Sequence, residues 1–209
     1  MRAREWHCGP FDFDLATPLV MGICNVTPDS FSDGGMHATA SEALEHAKKL
    51  IAAGADIIDV GGESTRPGAE EVPPEVEIAR VLPVVRELAS HGVAVSVDTR
   101  HASVAEACID AGACIVNDVS GFRSADMREV AARGDAGLVV MHMRGTPKTM
   151  QEAPAYDDVV HEVEQEMMRM VTRLTTEGVE PGRICLDVGI GFGKNVMHNL
   201  ALVQATAHF

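Results

Sequence analysis

Three polar side chains, Asp98, Asn117 and Asp187, each stand at or just past the end of a short apolar run. A carboxylate accepts hydrogen bonds from ring N–H and amino groups, and an amide both donates and accepts them. If the three side chains converge on one cavity, they could grip a flat, nitrogen-rich heterocycle. Helix capping is the alternative, because Asp and Asn are preferred where helices begin. Three such residues on different runs favour a shared ligand site.

A polar segment after the first apolar run is the second candidate, and it reads MGICNVTPDSFSDGG over residues 21–35. Asn25 lies where the run ends. Its amide oxygen is a ligand type suited to Mg²⁺ or to a water bound to phosphate. A cap or a turn is the alternative role for a single Asn, and the sequence leaves both roles open.

A glycine- and proline-rich segment, DVGGESTRPG over residues 59–68, predicts a shaped loop after the second apolar run. Arg66 places a guanidinium there in an otherwise acidic chain, and its fork of donors suits a carboxylate or a phosphate. The alternative for Arg66 is a surface ion pair with Glu63 or Glu70.

A third loop, GIGFGK over residues 189–194, resembles two phosphate-binding patterns but matches neither. A Walker A loop would need Gly in place of Val188 and Ser or Thr in place of Asn195, and the glycine spacing is wrong for a dinucleotide fingerprint. Phe192 within this loop predicts a nearby aromatic ligand, with local packing as the alternative.

The metal-binding and cysteine patterns of other enzyme classes are missing from the sequence. The nine histidines form no H-x-H or H-E-x-x-H pattern, which argues against a zinc hydrolase. The five cysteines are scattered and contain no C-x-x-C pair, which predicts reduced, buried thiols and a cytoplasmic protein.

Six apolar runs alternate with helical patterns, which predicts a parallel sheet built of β/α units. The runs are 19–24, 57–60, 94–97, 114–116, 138–141 and 184–186, and the helices are 41–53, 74–90, 104–111, 126–133, 156–177 and 195–206. Polar residues end six different runs, which favours a TIM barrel over an open doubly wound sheet with one switch point: Asn25, Asp59, Asp98, Asn117, His142 and Asp187.

The chain length and charge limit what the protein can bind. Residues 1–209 are expected to form one domain, with about six of the eight units of a (β/α)8 barrel. The net charge of -14 repels nucleic acid and anionic lipid, so neither is an expected partner. No segment predicts a signal peptide or a membrane span.

Several of these segments resemble dihydropteroate synthases. The resemblance covers residues 25–35 and 62–68, then VDT at 97–99, VNDVSG at 116–121, the glycine loop and HNL at 198–200. The matches run in family order across almost the whole chain, and the first loop is the most specific of them.

The resemblance implies a TIM barrel that joins p-aminobenzoate to 6-hydroxymethyl-7,8-dihydropterin pyrophosphate, with 7,8-dihydropteroate and pyrophosphate as products. It implies that Asp98, Asn117 and Asp187 hold the pterin and that Met141 lines the pterin pocket. It also implies that Asn25 contacts Mg²⁺ and pyrophosphate.

The resemblance also assigns roles to the two long loops. Thr65 would lie beside the pyrophosphate and the pterin, and Asp33 would help to screen positive charge. The p-aminobenzoate site, where sulfonamides compete, would be shaped by Phe31, Arg66, Pro67 and Phe192. Asp33, Arg66 and Asp98 would then be the residues that act in catalysis.

The sequence departs from the family pattern in two places. Val188 stands where the family usually has proline, which implies a local change in stiffness. The family's serine-arginine-lysine and arginine-x-histidine segments, which bind pterin and pyrophosphate, would fall after Phe209, as would the helices of the usual homodimer. We therefore expect a barrel that lacks its C-terminal part and exposes sheet edges, prone to aggregation, domain swapping or filling by a partner.

Two other functions fit parts of the sequence. A pterin-binding methyltransferase domain also grips pterin with Asp and Asn, but it has no use for the p-aminobenzoate loops. A non-catalytic pterin-binding fragment or paralogue is the other alternative, and a degraded pocket would favour it. Every matching position within this chain is intact, which favours the synthase.

Overall fold

The structure is a computed structural model that describes residues 5–27, 35–64, 71–146, 149–151 and 154–209, without the side chains of residues 35–39. A short antiparallel hairpin comes first, with strands β1 (Glu5–Cys8) and β2 (Phe11–Asp14). One sheet of six parallel strands follows: β3 (Met21–Asn25), β4 (Ile57–Gly61), β5 (Ala94–Asp98), β6 (Ile115–Asp118), β7 (Gly137–Met141) and β8 (Ile184–Asp187).

Each of these six strands leads into a helix. The helices are α1 (Gly35–Ala52), α2 (Pro74–Ser90), α3 (Ala102–Asp110), α4 (Ala125–Arg133), α5 (Val159–Thr176) and α6 (Val196–Gln204). Neighbouring strands of the sheet are also neighbours in sequence, from β3 to β8. A doubly wound sheet would reverse its strand order at a switch point. The described order is that of a barrel wall, which confirms the predicted six β/α units.

Helix boundaries follow local sequence signals. Pro74 occupies the first turn of α2, where its missing N–H costs nothing. The Asp158 side chain caps α5 by accepting from the His161 amide, so this helix begins three residues later than predicted. Asn195 and His198 form a reciprocal capping box at α6. In the described chain, α1 starts six residues before the predicted Ser41.

Side chains of the parallel strands alternate between the helix layer and the barrel lumen. The helix-facing positions are apolar and buried in one core cluster, which includes Cys24, Val60, Val97, Val116 and Val140. The other positions face the lumen, and at the carboxyl ends of the strands they are polar. This alternation places the predicted site residues of the strands on one surface.

The N-terminal hairpin, which the sequence analysis did not predict, closes the amino-terminal end of the barrel. Trp6 and Cys8 pack against Ile57, Ala94 and Ile115, the first lumen-facing residues of three strands. The Trp6 indole Nε1 donates to the Arg183 carbonyl at 2.9 Å. The short, acid-containing strands FDFD and EWHC gave too weak a pattern for prediction.

We expect the substitution Gly137→Ala to lower the free energy of unfolding by about 1–3 kcal/mol. A Cβ at Gly137 would overlap Cys8 Sγ and lie 3.2 Å from Cys8 Cβ and 3.3 Å from the Trp6 ring. Urea denaturation measures the effect. The double variant Gly137→Ala/Cys8→Ala should recover part of the loss, and equal losses in the single and double variants would contradict this packing.

Among the described residues, no helix is both long enough and apolar enough to cross a membrane.

Candidate active site

The register of the sheet brings the predicted strand-end residues together at one rim of the barrel. Asn25 is paired with Gly61, Gly61 with Asp98, and Asp98 with Asn117. These residues therefore form one continuous row across four strands.

Met141 and Asp187 lie further along the same rim. The two residues are partners across β7 and β8. The rim thus carries every strand residue for which the resemblance implies a contact with substrate or metal.

Gly61 leaves space in the middle of this row. A Cβ at position 61 would lie 3.3 Å from Asn25 Oδ1 and 3.5 Å from Asp98 Oδ2. Any larger side chain would fill the gap between these two oxygens. The glycine therefore keeps an amide oxygen and a carboxylate oxygen open toward the same point of the lumen.

Asp59, which the sequence analysis named as a strand-end residue without assigning it a ligand, is also a member of the site. It lies on the lumen face of β4, and its Oδ2 accepts a hydrogen bond from Asn117 Nδ2 at 3.1 Å. In the described part of the chain, Asp59 Oδ1, Asn117 Oδ1 and Ser96 Oγ are buried without a hydrogen-bond partner. Burying a polar atom without a hydrogen bond lowers the stability of the folded protein. A ligand that brings hydrogen-bond donors would satisfy them.

The electrostatics of the lumen also favour a donor-rich ligand. Burial, followed by the charge of Asp59, raises the pKa of Asp98 well above its usual range. Burial likewise raises the pKa of Asp59. Two crowded carboxyl groups stabilise positive charge or N–H donors placed between them. The site is therefore suited to an electron-poor, nitrogen-rich ring.

Asp187 is oriented by the glycine loop that follows it. Its Oδ1 accepts from the Gly189 amide at 2.8 Å. An open cleft of about 1220 Å³ runs along β8 and is bordered by Asp187, Cys185 and Trp6. The cleft therefore reaches Asp187 at the rim.

Phe192 and Met141 belong to one small apolar cluster. Met141 is buried with Val119, Met143 and Met150, and the half-buried Phe192 packs against them. Phe192 therefore has the local packing role, which was one of its two predicted roles. Stacking of Phe192 on a ligand stays a prediction.

Lys194 holds the glycine loop in place from inside the protein. Its side chain is buried, and its Nζ lies 3.0 Å from His142 Nδ1 and 3.0 Å from the carbonyls of Gly189 and Phe192. Burial lowers the pKa of Lys194 to about 8. The sequence offered no signal for the contact with His142, because 52 residues separate the two.

His142 connects Lys194 to a surface ion-pair network. Because Nδ1 accepts from Lys194, His142 Nε2 carries the proton and donates to Glu166 at 2.9 Å. Arg144 Nε donates to the same carboxylate at 2.9 Å, and the Arg144 guanidinium lies 4.1 Å from the centre of the Tyr156 ring. These contacts fix the loop after β7 against α5.

We expect His142 to make the protein sensitive to acid. Burial, followed by the Lys194 charge, lowers the pKa of His142 from 6.5 to about 4. The neutral imidazole therefore stabilises the fold fully above pH 6.5, and about 3 kcal/mol is lost as the pH falls toward 4. Urea denaturation of the wild type and of His142→Gln between pH 7 and pH 4 measures this. Between pH 7 and pH 4, the unfolding free energy of the glutamine variant should fall by about 3 kcal/mol less than that of the wild type. An equal fall in both proteins would contradict this role of His142.

Some predicted residues lie outside the described part of the chain, namely Phe31, Asp33, Thr65, Arg66 and Pro67. One alternative for Arg66 was an ion pair with Glu63. That carboxylate is bound through both oxygens by Arg100, with both distances at 2.9 Å.

Asp118 has a local role and is not a lumen residue. It faces the helix layer, where its carboxylate accepts from the amides of Ser120 and Phe122 at 2.7 and 2.8 Å. This is the capping role that Asp and Asn often fill after strands. It contrasts with Asn117, the preceding residue, which points into the lumen.

Residues 21–209 match the family model described as "Pterin binding enzyme". The matched residues include all six parallel strands. The Escherichia coli dihydropteroate synthase is 49% identical over 197 residues, which are 94% of this chain and 70% of that protein. The chain belongs to the dihydropteroate synthase family. This confirms the family that the loop motifs indicated, and with it a transferase of folate biosynthesis.

Solved dihydropteroate synthases have the same fold. The Burkholderia cenocepacia enzyme, in complex with 7,8-dihydropteroate, superimposes with a TM-score of 0.87 at 43% identity, covering 97% of this chain and 69% of that chain. The Yersinia pestis enzyme, in a sulfonamide drug complex, gives 0.91 at 42% identity, covering 98% and 74%. The predicted barrel fold is confirmed. Dihydropteroate synthases use a divalent metal.

Proposed function

We propose that this chain joins p-aminobenzoate to 6-hydroxymethyl-7,8-dihydropterin pyrophosphate. The observation that carries the proposal is the row of lumen residues Asn25, Asp98 and Asn117, backed by the buried and unpaired oxygen of Asp59. The Burkholderia cenocepacia relative binds 7,8-dihydropteroate, which is the product of this reaction. The sulfonamide complex of the Yersinia pestis relative agrees with a p-aminobenzoate site.

The pterin ring is held by Asp98, Asn117 and Asp187, with Met141 against its face. Carboxylates accept from the ring N–H and the exocyclic amino group, while the Asn117 amide can donate and accept. Asp59 orients Asn117 through the 3.1 Å hydrogen bond between them. The shared preference of these groups for N–H donors gives the pocket its specificity.

The pyrophosphate of the substrate lies near Asn25. Asn25 Oδ1 and Asp98 Oδ2 open toward the same space beside Gly61, and both are hard oxygen donors of the type that Mg²⁺ prefers. The residues present therefore fit Mg²⁺, which would be held at Asn25. Bound Mg²⁺ supplies positive charge that stabilises the leaving pyrophosphate.

The p-aminobenzoate site is formed by the two long loops. Phe31, Arg66 and Pro67 shape it together with Phe192, and Arg66 supplies a guanidinium for the carboxylate. Thr65 lies beside the pyrophosphate and the pterin, and Asp33 helps to screen positive charge. Closing of these loops excludes water, which would otherwise compete as the nucleophile.

The reaction exchanges one bond for another at the pterin methylene carbon. The bond from this carbon to the pyrophosphate oxygen breaks, and a bond to the aniline nitrogen forms. The nitrogen is neutral at pH 7 and loses its proton to solvent, so no strong base is needed. Asp98 and Asp187 stabilise the cationic character that builds up on the pterin as pyrophosphate leaves.

Inhibition by a sulfonamide tests the proposed p-aminobenzoate site. A sulfonamide should raise the KM for p-aminobenzoate without lowering kcat, because it takes the place of that substrate. Inhibition that p-aminobenzoate cannot relieve would contradict a shared site. Pterin binding without any product would favour the alternative of a non-catalytic pterin-binding fragment.

A further inference from the structure

A second group of potential ligands lies on the helix side of the rim, away from the lumen. Glu63 follows β4, Glu77 is in the first turn of α2, and His101 is the N-cap residue of α3. His101 Nε2 lies 3.9 Å from Glu63 Oε2 and 3.9 Å from Glu77 Oε2. One ligand atom from each residue fits within a span of 4.8 Å.

Glu77 is the buried member of this group, and no described residue forms a hydrogen bond with its carboxylate. Its side chain is 0% exposed. The Thr99 hydroxyl is close by without meeting hydrogen-bond geometry to Glu77, and it accepts from the His101 amide instead. A fully buried carboxylate with no donor costs several kcal/mol, on the order of 3–5. A cation bound by these oxygens would offset this cost.

His101 and Glu63 each offer a free ligand position toward Glu77. Within the described ranges, His101 Nε2 is buried and has no hydrogen-bond partner. Among the described residues, Glu63 Oε1 accepts from Arg100 Nη2 and from the Val72 amide, whereas Oε2 accepts only from Arg100 Nε. Oε2 therefore keeps one lone pair, and it is the oxygen nearer to His101. Arg100 fixes the carboxylate without blocking it.

The donor types and spacing point to a transition metal. Imidazole nitrogen with two carboxylate oxygens suits Zn²⁺ and its first-row neighbours better than Mg²⁺. Ligand atoms about 2.1 Å from a tetrahedral ion lie roughly 3.4 Å apart. The two 3.9 Å separations and the third, which is within 4.8 Å, would therefore have to shorten by side-chain movement on binding. In the part of the chain that the structure describes, the guanidinium groups of Arg80 and Arg100 offset only part of the negative charge of Glu63, Glu71 and Glu77.

We propose that Glu63, Glu77 and His101 bind one divalent transition-metal ion of the Zn²⁺ class, with water as the fourth ligand. The ion connects the loop after β4 to the starts of α2 and α3. A Cβ at Gly62 would lie 2.9 Å from Glu77 Cγ, so the loop already packs directly on this site. The ion thereby anchors the chain two residues before Thr65, next to the proposed p-aminobenzoate loop.

Zn²⁺ titration of the full chain by calorimetry, with excess Mg²⁺ present, tests the proposal. We expect one equivalent of Zn²⁺ to bind and to raise the Tm, because the ion binds only the folded site. Mg²⁺ should not compete, since it prefers all-oxygen octahedral ligands. Co²⁺ in place of Zn²⁺ should give visible absorption bands typical of tetrahedral coordination.

Single variants identify the ligands. His101→Ala and Glu77→Gln should each weaken Zn²⁺ binding at least about tenfold, with circular dichroism confirming that the variants are folded. His91→Ala is the matched control, because His91 lies at the opposite end of α2 from Glu77, with its Nδ1 3.8 Å from Glu87 on the exposed surface. It should leave the affinity unchanged. No Zn²⁺ binding by the wild type, or equal affinity in His101→Ala, would overturn the proposal.

Discussion

Asp98→Asn is expected to lower kcat/KM for the condensation at least about 100-fold, because an amide cannot ionise to stabilise the cationic character that develops on the pterin. The substitution keeps the size of the side chain. The folded protein should be as stable as the wild type or more stable, because burial and Asp59 already disfavour the Asp98 carboxylate. Steady-state kinetics and urea denaturation of the same preparation measure both effects.

Asp110→Asn is the matched control for this change. Asp110 is an exposed residue at the end of α3, so its substitution removes the same charge far from the lumen. Its kinetics should equal those of the wild type. An Asp98→Asn variant with kcat/KM within about threefold of the wild type would show that Asp98 does not stabilise the transition state.

Gly189→Ala is expected to destabilise the protein by about 3 kcal/mol or more and to reduce activity. Gly189 has a φ of +68°, and a Cβ there would overlap the carbonyl oxygen of His142 and lie 3.1 Å from its carbonyl carbon. The loop must move to relieve the overlap. Because the Gly189 amide orients Asp187, that movement also displaces a proposed pterin ligand.

Gly191→Ala separates steric overlap from backbone strain. Gly191 has a φ of +87°, but a Cβ at this position meets no described atom within 4 Å. Its substitution should cost only the strain of a left-handed residue, about 1–2 kcal/mol. Equal unfolding free energies for the two variants, measured by urea denaturation, would contradict the close approach of Gly189 to His142.

The strand residues of the site could be predicted because strand geometry is regular. Continuous apolar runs indicated buried parallel strands, and a polar residue at the end of such a run must lie at the carboxyl rim. Asn25, Asp98, Asn117 and Asp187 were all found in this way, and the register places them on one rim. The six-unit order fits an open sheet as well as a barrel, and the polar residues at the ends of six runs favoured the barrel.

Contacts between distant segments could not be predicted in the same way. His142 and Lys194 are 52 residues apart, and nothing in either local sequence indicates that they meet. Glu77 has the sequence context of an exposed helix residue, yet it is fully buried beneath the loop after β4. The N-terminal hairpin was missed because its two strands are short and three of their eight residues are acidic. These features depend on tertiary packing and not on local pattern.

The most direct test of the proposed function is pyrophosphate release from 6-hydroxymethyl-7,8-dihydropterin pyrophosphate with Mg²⁺, measured with and without p-aminobenzoate. We predict release that depends on p-aminobenzoate and is accompanied by an equal amount of 7,8-dihydropteroate. The absence of release from a protein that circular dichroism shows to be folded would contradict synthase activity in this chain. Release at the same rate without p-aminobenzoate would contradict the proposed second substrate.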